Sequence, residues 1–373
     1  MFRAKTVLVI GAGASVEVGL PMGSELLEQI TQLVDIKFDY SRQTAGDPSI
    51  VQALKLHLNE GREVTKINEH IKAGRQLSES AKQALSIDNV IDALEDPQIE
   101  LVGKLGIVQA ILKAEAASES FKYNDYKPDS LELSSFSNSW YSSFTKLLTE
   151  NVRKSQISRI FDNLKIVNFN YDRCLEHYLP ISLASYYGVK PDAVREIMQG
   201  LIIHRPYGVA GRLPWQEGHA PSVRFGEGSP QQLADVAQQI RTFTERVEEG
   251  EELAAMRATI ADADRVVFLG FAFHRQNVKL LAQRTQGHSE IVATAYQISQ
   301  SDKSVIEDEL GKAFEHDFMI KDQRIRLADM TCAQFFKEYW RTLTAEKGDH
   351  EPLSLGEYSP EIPLFPSLPR IGR

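Results

Sequence analysis

Residues Thr6–Ile10 (TVLVI) are an unbroken β-branched and leucine run that halts at Gly11-Ala12-Gly13-Ala14-Ser15. A strand with no polar alternation is buried on both faces, as in a parallel sheet covered by helices. A half-exposed antiparallel strand would alternate, so this segment directs the chain toward an α/β architecture. Beyond the glycines, Ser24 reads as an N-cap, followed by Leu26, Leu27, Ile30, Leu33 and Val34 at the offsets of one helical face. A strand, a glycine loop and a helix therefore follow in order.

From about Asp47 to Val152 the spacing becomes helical, at Ile50, Leu54 and Leu58, then Leu85 to Leu94, Leu101 to Leu112 and Trp140 to Leu148. No strand pattern interrupts it, so the stretch reads as a helical insertion, with Ala117 to Ser139 irregular. Strand-like segments return at Leu164–Phe169, Leu201–Ile203, Arg265–Leu269 and Glu290–Tyr296, with helical patterns between several of them. This alternation predicts a Rossmann-like, doubly wound parallel sheet. Gln231 to Ile260 reads as a charged amphipathic helix or helix pair, and Glu245 to Glu252 as its solvated face. Glu351 to Arg373 holds five of the fifteen prolines (Pro352, Pro360, Pro363, Pro366 and Pro369). Such a segment cannot be a regular helix. Its apolar residues, Leu353, Leu355, Tyr358, Ile362, Leu364, Phe365 and Leu368, suggest an extended arm that packs on its own domain or on a neighbouring subunit. The expected organisation is thus a domain over residues 1–345, its helical insertion at about 47–152, and a proline-rich arm over 346–373.

Composition narrows the function. With 373 residues, 42% hydrophobic and 25% charged, the chain can bury a substantial core. Its net charge of −9 and lack of a clustered basic run argue against direct binding of duplex nucleic acid. Only Cys174 and Cys332 are present, too few for a four-cysteine zinc module or a disulfide framework, so no metal is expected. No stretch nears about 18 uninterrupted apolar residues, and Met1 to Ile10 lacks a signal-peptide layout, so a cytoplasmic, non-membrane protein is expected.

Four segments carry polar or glycine chemistry at strand ends. Glycines in Gly11-Ala12-Gly13-Ala14-Ser15 would let backbone N–H groups approach a pyrophosphate, although Val16 stands where a dinucleotide fingerprint has a third glycine and Gly19-Leu20-Pro21 follows. The same loop also reads as a purely structural tight turn. Asn168-Phe169-Asn170-Tyr171-Asp172 follows the buried strand that ends near Val167, placing Asn170 and Asp172 toward the crevice; Asp172 reads equally as a helix start. His204, in Ile203-His204-Arg205-Pro206-Tyr207-Gly208, is the histidine at a strand exit before a Pro/Gly turn, suited to accept a proton near pH 7. Gly270 would permit close approach to a ribose and Asn277 would hydrogen-bond a hydroxyl, whereas Phe271 and Phe273 read more simply as core.

Taken in order, GAGAS…GLP, NFNYD, a strand-end histidine and FLGF resemble the sirtuin fold, in particular the zinc-free sirtuin-like NAD hydrolases of bacterial antiphage defence. The resemblance covers roughly Val7 to Tyr296, and Ser86-Ile87-Asp88-Asn89 is similar to a short segment of those proteins. It implies an NAD glycohydrolase that yields nicotinamide and ADP-ribose and depletes NAD in abortive infection. On this resemblance Gly11, Ala12, Gly13 and Ser15, with Gly19 and Pro21, would hold the pyrophosphate side of NAD. Asn170 would position water beside the nicotinamide ribose, supported by Asp172, while His204 takes the catalytic histidine's place; Gly270 and Phe271 would approach the adenine-side ribose. The departures are Met22-Gly23-Ser24 where deacylating sirtuins have Asp-Phe-Arg, and the missing zinc cysteines. Both weigh against protein deacylation. Deacylation or ADP-ribosyl transfer, and a non-catalytic NAD sensor, remain the competing expectations. The proline-rich arm suggests a homo-oligomer, and the resemblance implies a HerA-type hexameric ATPase as a partner.

Overall fold

The computed structural model describes residues 1–58, 64–124, 127–242, 250–282, 289–314 and 325–346. Its strands in chain order are β1 (Thr6–Ile10), β2 (Lys37–Asp39), β3 (Arg42–Ala45), β4 (Tyr123–Asn124), β5 (Lys127–Leu131), β6 (Leu164–Asn168), β7 (Ile203–His204), β8 (Arg265–Leu269), β9 (Glu290–Thr294) and β10 (Ile325–Ala328). Six of them form one sheet in the order β10-β9-β8-β1-β6-β7. Every pairing in it is parallel, with Ile10 in register with Asn168 on one side and with Leu269 on the other. The chain leaves β1, runs outward through β6 and β7, and returns across β1 to lay down β8, β9 and β10. The order thus reverses beside β1, and in open α/β sheets ligands bind outside the carboxyl ends of the strands at such a reversal. This is the doubly wound architecture that the apolar run Thr6–Ile10 predicts, and that strand is buried along its length.

One face of the sheet presents Val7, Val9, Val167, Val266 and Phe268 to the helices Gly23–Val34, Pro97–Ala117 and Glu251–Ala261. The other presents Leu8, Ile10, Ile166, Val267 and Leu269 to the helices Trp140–Thr149, Cys174–Tyr187 and Cys332–Glu338. The helices of the insertion therefore close over the first face and share its core. Trp140–Thr149, which its spacing groups with them, lies in the opposite layer. Glu17 ties that layer to the glycine loop, its two carboxylate oxygens accepting the N–H groups of Trp140 and Ala333, each at 2.8 Å.

Several local expectations are corrected. The first helix begins at Gly23 with Met22, not Ser24, at its N-cap, because two 3₁₀ turns (Ala12–Ala14 and Val16–Val18) and Gly19-Leu20-Pro21 consume the intervening residues. Ser24 is exposed, and the Met22 N–H donates to Glu25 Oε2 at 3.0 Å. Leu201 and Ile202 lie outside β7, and a small β4–β5 hairpin stands within the stretch expected to be irregular. The charged stretch from Gln231 resolves into the helices Pro230–Ala237 and Glu251–Ala261. The proline-rich arm beyond residue 346, and most of the expected solvated face at 245–252, lie outside the described residues.

Candidate functional site

At the carboxyl ends of β1 and β8 the two glycine segments press backbone against backbone. The Gly11 N–H donates to Leu269 O at 3.0 Å and the Gly13 N–H to Gly270 O at 2.9 Å. A Cβ on Gly11 would stand 2.6 Å from Gly270 O, and one on Gly270, whose φ is +56°, would stand 2.0 Å from Ala14 N. The glycines are therefore required first by each other. The amides of Ala14 and Ser15 are spent on Gly11 O and Ala12 O, each at 3.0 Å. The outward face of this loop is formed by Ala12 and Val16, with Gly13 half-buried, and Gly19 closes the second turn with φ +84°.

Beside the loop, β6 ends at Asn168 and the chain turns through Asn170 and Asp172 into the helix Cys174–Tyr187. The turn is set locally by Asn168 Oδ1, which accepts the Asn170 N–H at 3.0 Å. Both hydrogens of the Asn170 side-chain amide are committed, to Gly11 O at 3.0 Å and to Ser15 Oγ at 3.1 Å. Only its Oδ1 is left to act on a ligand. Ser15 in turn donates to Asp172 Oδ2 at 2.8 Å, and the other Asp172 oxygen accepts the Cys174 N–H at 3.1 Å. Asp172 thus accepts an N–H of the first helical turn, although the N-cap itself is Arg173, and braces the Ser15–Asn170 pair. It is 4% exposed and, among the described residues, forms no ion pair. The neighbouring Cys174 thiol is pushed well above its usual range by burial and then by the Asp172 charge, which makes it inert as a nucleophile.

His204 sits on β7 opposite Val167, on the adjoining edge of the same sheet end. Its Nε2 is hydrogen-bonded to Thr259 Oγ1 at 2.9 Å. Among the described residues no hydrogen bond joins it to Asn170, Ser15 or Asp172. Burial, and then the Lys165 charge, lowers its pKa from the ordinary imidazole value, with Glu252 opposing. The next residue makes the connection instead. Arg205 Nη1 donates to the backbone oxygens of Asn170 at 2.6 Å and Asp172 at 2.9 Å, and its Nη2 pairs with Glu176.

Asn277, expected to meet a ribose hydroxyl, accepts the Tyr207 hydroxyl proton at 2.5 Å. Phe169 packs edge-on against both Tyr207 and Phe271, with ring centroids 5.6 and 5.1 Å apart. Phe271 is accordingly core, as its aromatic character suggests, and 4% exposed. Pro21 is half-buried just before the first helix. Among the described residues no three His, Cys, Asp or Glu side chains are grouped to hold a metal ion, and no helix is long and apolar enough to cross a membrane.

No protein-family model matches this chain, and no curated protein matches it. The site must therefore be read from its own geometry. That geometry brings together Gly11, Gly13, Ser15, Asn170, Asp172 and Gly270, and it keeps His204 and Asn277 on separate partners. Sequence reasoning missed Arg205, Glu176 and Thr259. Arg205 was signalled only by standing next to His204, and Glu176 by lying one helical turn beyond Asp172. A second pair had no local signal: Glu115, on the helix Pro97–Ala117, accepts from Arg173 N and Nε, both at 3.0 Å, across 58 residues of chain. Its other oxygen accepts the Gly226 N–H at 2.9 Å, so the insertion is fastened directly behind Asp172.

Proposed function

We propose that the protein is an NAD glycohydrolase that cleaves the bond between nicotinamide and ribose. The observation that carries this reading is the Asn170 amide, held at a sheet-order reversal with both hydrogens committed and its oxygen left to act beside the buried carboxylate of Asp172, which forms no ion pair among the described residues. An amide oxygen in that state accepts a hydrogen bond, from a ribose hydroxyl or from an attacking water, and thereby aims it. The resemblance of GAGAS, NFNYD and FLGF to sirtuin-like NAD hydrolases supports the same substrate.

As the C1′–N bond breaks, its electron pair moves onto the pyridinium nitrogen and nicotinamide leaves neutral. The sugar becomes oxocarbenium-like, and water adds at C1′ with loss of one proton. No acid is needed for the leaving group. Asp172 supplies a fixed negative charge near the developing cation, and Asn170 orients the nucleophile. In the tautomer that donates Nε2–H to Thr259, His204 carries a free lone pair on Nδ1, and its lowered pKa keeps that lone pair available at neutral pH. His204 then takes the proton lost from water or from a ribose hydroxyl.

The phosphates fit the loop less directly than glycine spacing implies, since the Gly13, Ala14 and Ser15 amides are already bonded. We place the pyrophosphate over the outward Ala12–Gly13 face, with Val16, Gly19 and Pro21 at its edge. Depletion of NAD in antiphage defence and a HerA-type ATPase partner belong to this proposal through the same resemblance, and self-association through the apolar, proline-rich arm. The test is incubation of the purified protein with NAD, with and without an acylated peptide. Free nicotinamide and ADP-ribose without peptide support hydrolysis. Turnover only with peptide selects deacylation or transfer, and binding without turnover selects a sensor.

A further inference from the structure

We propose that Arg205 is a positioning residue for this reaction, stapling the strand-end turn that presents Asn170 and Asp172; the inference rests on the NAD reading above. The two backbone oxygens that Arg205 Nη1 binds belong to the two residues whose side chains do the work, at 2.6 and 2.9 Å. Its Nη2 is anchored by Glu176, which lies on the helix whose first N–H, at Cys174, is accepted by Asp172. One guanidinium therefore fixes the end of β6, the start of the following helix and the end of β7 relative to one another.

Its energetics point the same way. The Arg205 and Glu176 side chains are 11% and 4% exposed, and Glu176 Oε2 has no hydrogen-bond partner among the described residues. A buried pair with an unsatisfied oxygen is a poor means of stabilising a fold, because desolvation cancels most of its attraction and an apolar pair of equal volume does as well or better. It is a good means of holding geometry. Only a planar fork reaches two carbonyls and a carboxylate at once, so lysine, a point charge, cannot reproduce the arrangement.

The experiment compares Arg205→Lys and Glu176→Gln with the wild-type protein. Three readouts are taken: NAD turnover split into kcat and KM, NAD affinity by calorimetry, and hydrogen exchange of the Asn170 side-chain amide by NMR, assigned from its loss in Asn170→Asp. In the wild type that amide should exchange slowly, because both its hydrogens are bonded. In Arg205→Lys we expect faster amide exchange and kcat lowered roughly 100-fold, as for a displaced positioning group, with NAD affinity kept within about threefold. Glu176→Gln, which retains a hydrogen-bonding oxygen for Arg205, should lie between. A folded Arg205→Lys protein with wild-type kcat and unchanged amide exchange overturns the proposal, as does loss of kcat and affinity together with Asn170 still protected. If the wild-type protein does not cleave NAD, the functional reading fails by itself, and the Asn170 amide still decides whether Arg205 holds the turn.

Discussion

At Asn170, truncation removes the oxygen that the proposed mechanism uses and also two internal hydrogen bonds, to Gly11 O and Ser15 Oγ. Asn170→Ala should lower NAD turnover roughly 100-fold or more while the protein remains folded, since the β6 strand ends two residues earlier. Circular dichroism together with nicotinamide release checks this, and near-normal turnover in a folded variant would falsify the mechanism. The glycines behave differently from what their spacing alone implies. On Gly13 a Cβ would stand 2.9 Å from Gly270 O, against backbone that cannot move aside without opening the β1–β8 contact. Gly13→Val should therefore lower the melting temperature as well as NAD affinity, whereas a ligand-only role would lower affinity alone. At this scale the sequence was informative where a polar residue follows an apolar run, as at Asn170 and Asp172. It was mute where partners are distant in the chain, as with Arg173 and Glu115, because nothing local distinguishes an arginine bound for a buried carboxylate from one bound for water.

Among elements, β7 explains why His204 is poised differently from Asn170. Among the described residues it is the sheet's last strand on that side, paired through Ile203 and His204, and the charges of Lys165 and Glu252 act on its imidazole with opposite sign. Burial and Lys165 favour the neutral ring, so the acid limb of kcat/KM should lie below the ordinary imidazole value of about 6.5. Lys165→Gln removes a positive neighbour, which favours protonation, so that limb should move to higher pH; a limb that stays put would detach His204 from the rate. Edge strands also mark where the sequence was least legible. β10, with Arg326 within four residues, lacks the apolar continuity that identified β1 and β8, and among the described residues its outer side faces no further strand. The helix Pro48–His57 was legible by spacing and owes its start to Asp47, which accepts the Ser49 N–H at 2.8 Å and also pairs with Lys113 of the long insertion helix. Burial alone would raise the pKa of that carboxyl, but Lys113, Gln109 and the Ser49 N–H together hold it below its usual value. A lowered native pKa means that the stabilisation is complete above the unfolded carboxylate value of about 3.9 and fades as pH falls through the native value. Asp47→Ala should cost about 0.5–2 kcal/mol at neutral pH. Denaturant titration at decreasing pH should show that difference shrinking below about pH 4.

For the whole molecule, the decisive feature is that the helical insertion has no core of its own. Ile99, Leu105 and Val108 of the helix Pro97–Ala117 belong to the same apolar cluster as Val7, Val9 and Phe268 of the sheet, and Ile30 and Val34 of the first helix lie between them. The sequence announced the insertion's helices through their periodicity, but periodicity names an apolar face and not the surface it meets. Removing the insertion would expose to water the apolar side of the first helix, Ile30 and Val34, and open the core that this helix shares with the sheet. Chains of this length often unfold in stages, yet the shared core predicts that insertion and sheet melt together. Gly106 tests the coupling, because a Cβ there would stand 2.8 Å from Ile30 Cγ2 and 3.0 Å from Val34 Cγ1. Gly106→Val should overpack that interface at a cost of about 1–3 kcal/mol. Calorimetry should show a single transition displaced downward, with amide protection lost equally in β1 and in the insertion helix. If the insertion melts first while β1 and Asn170 keep their protection, the two parts are independent units and the site does not depend on the helices above it.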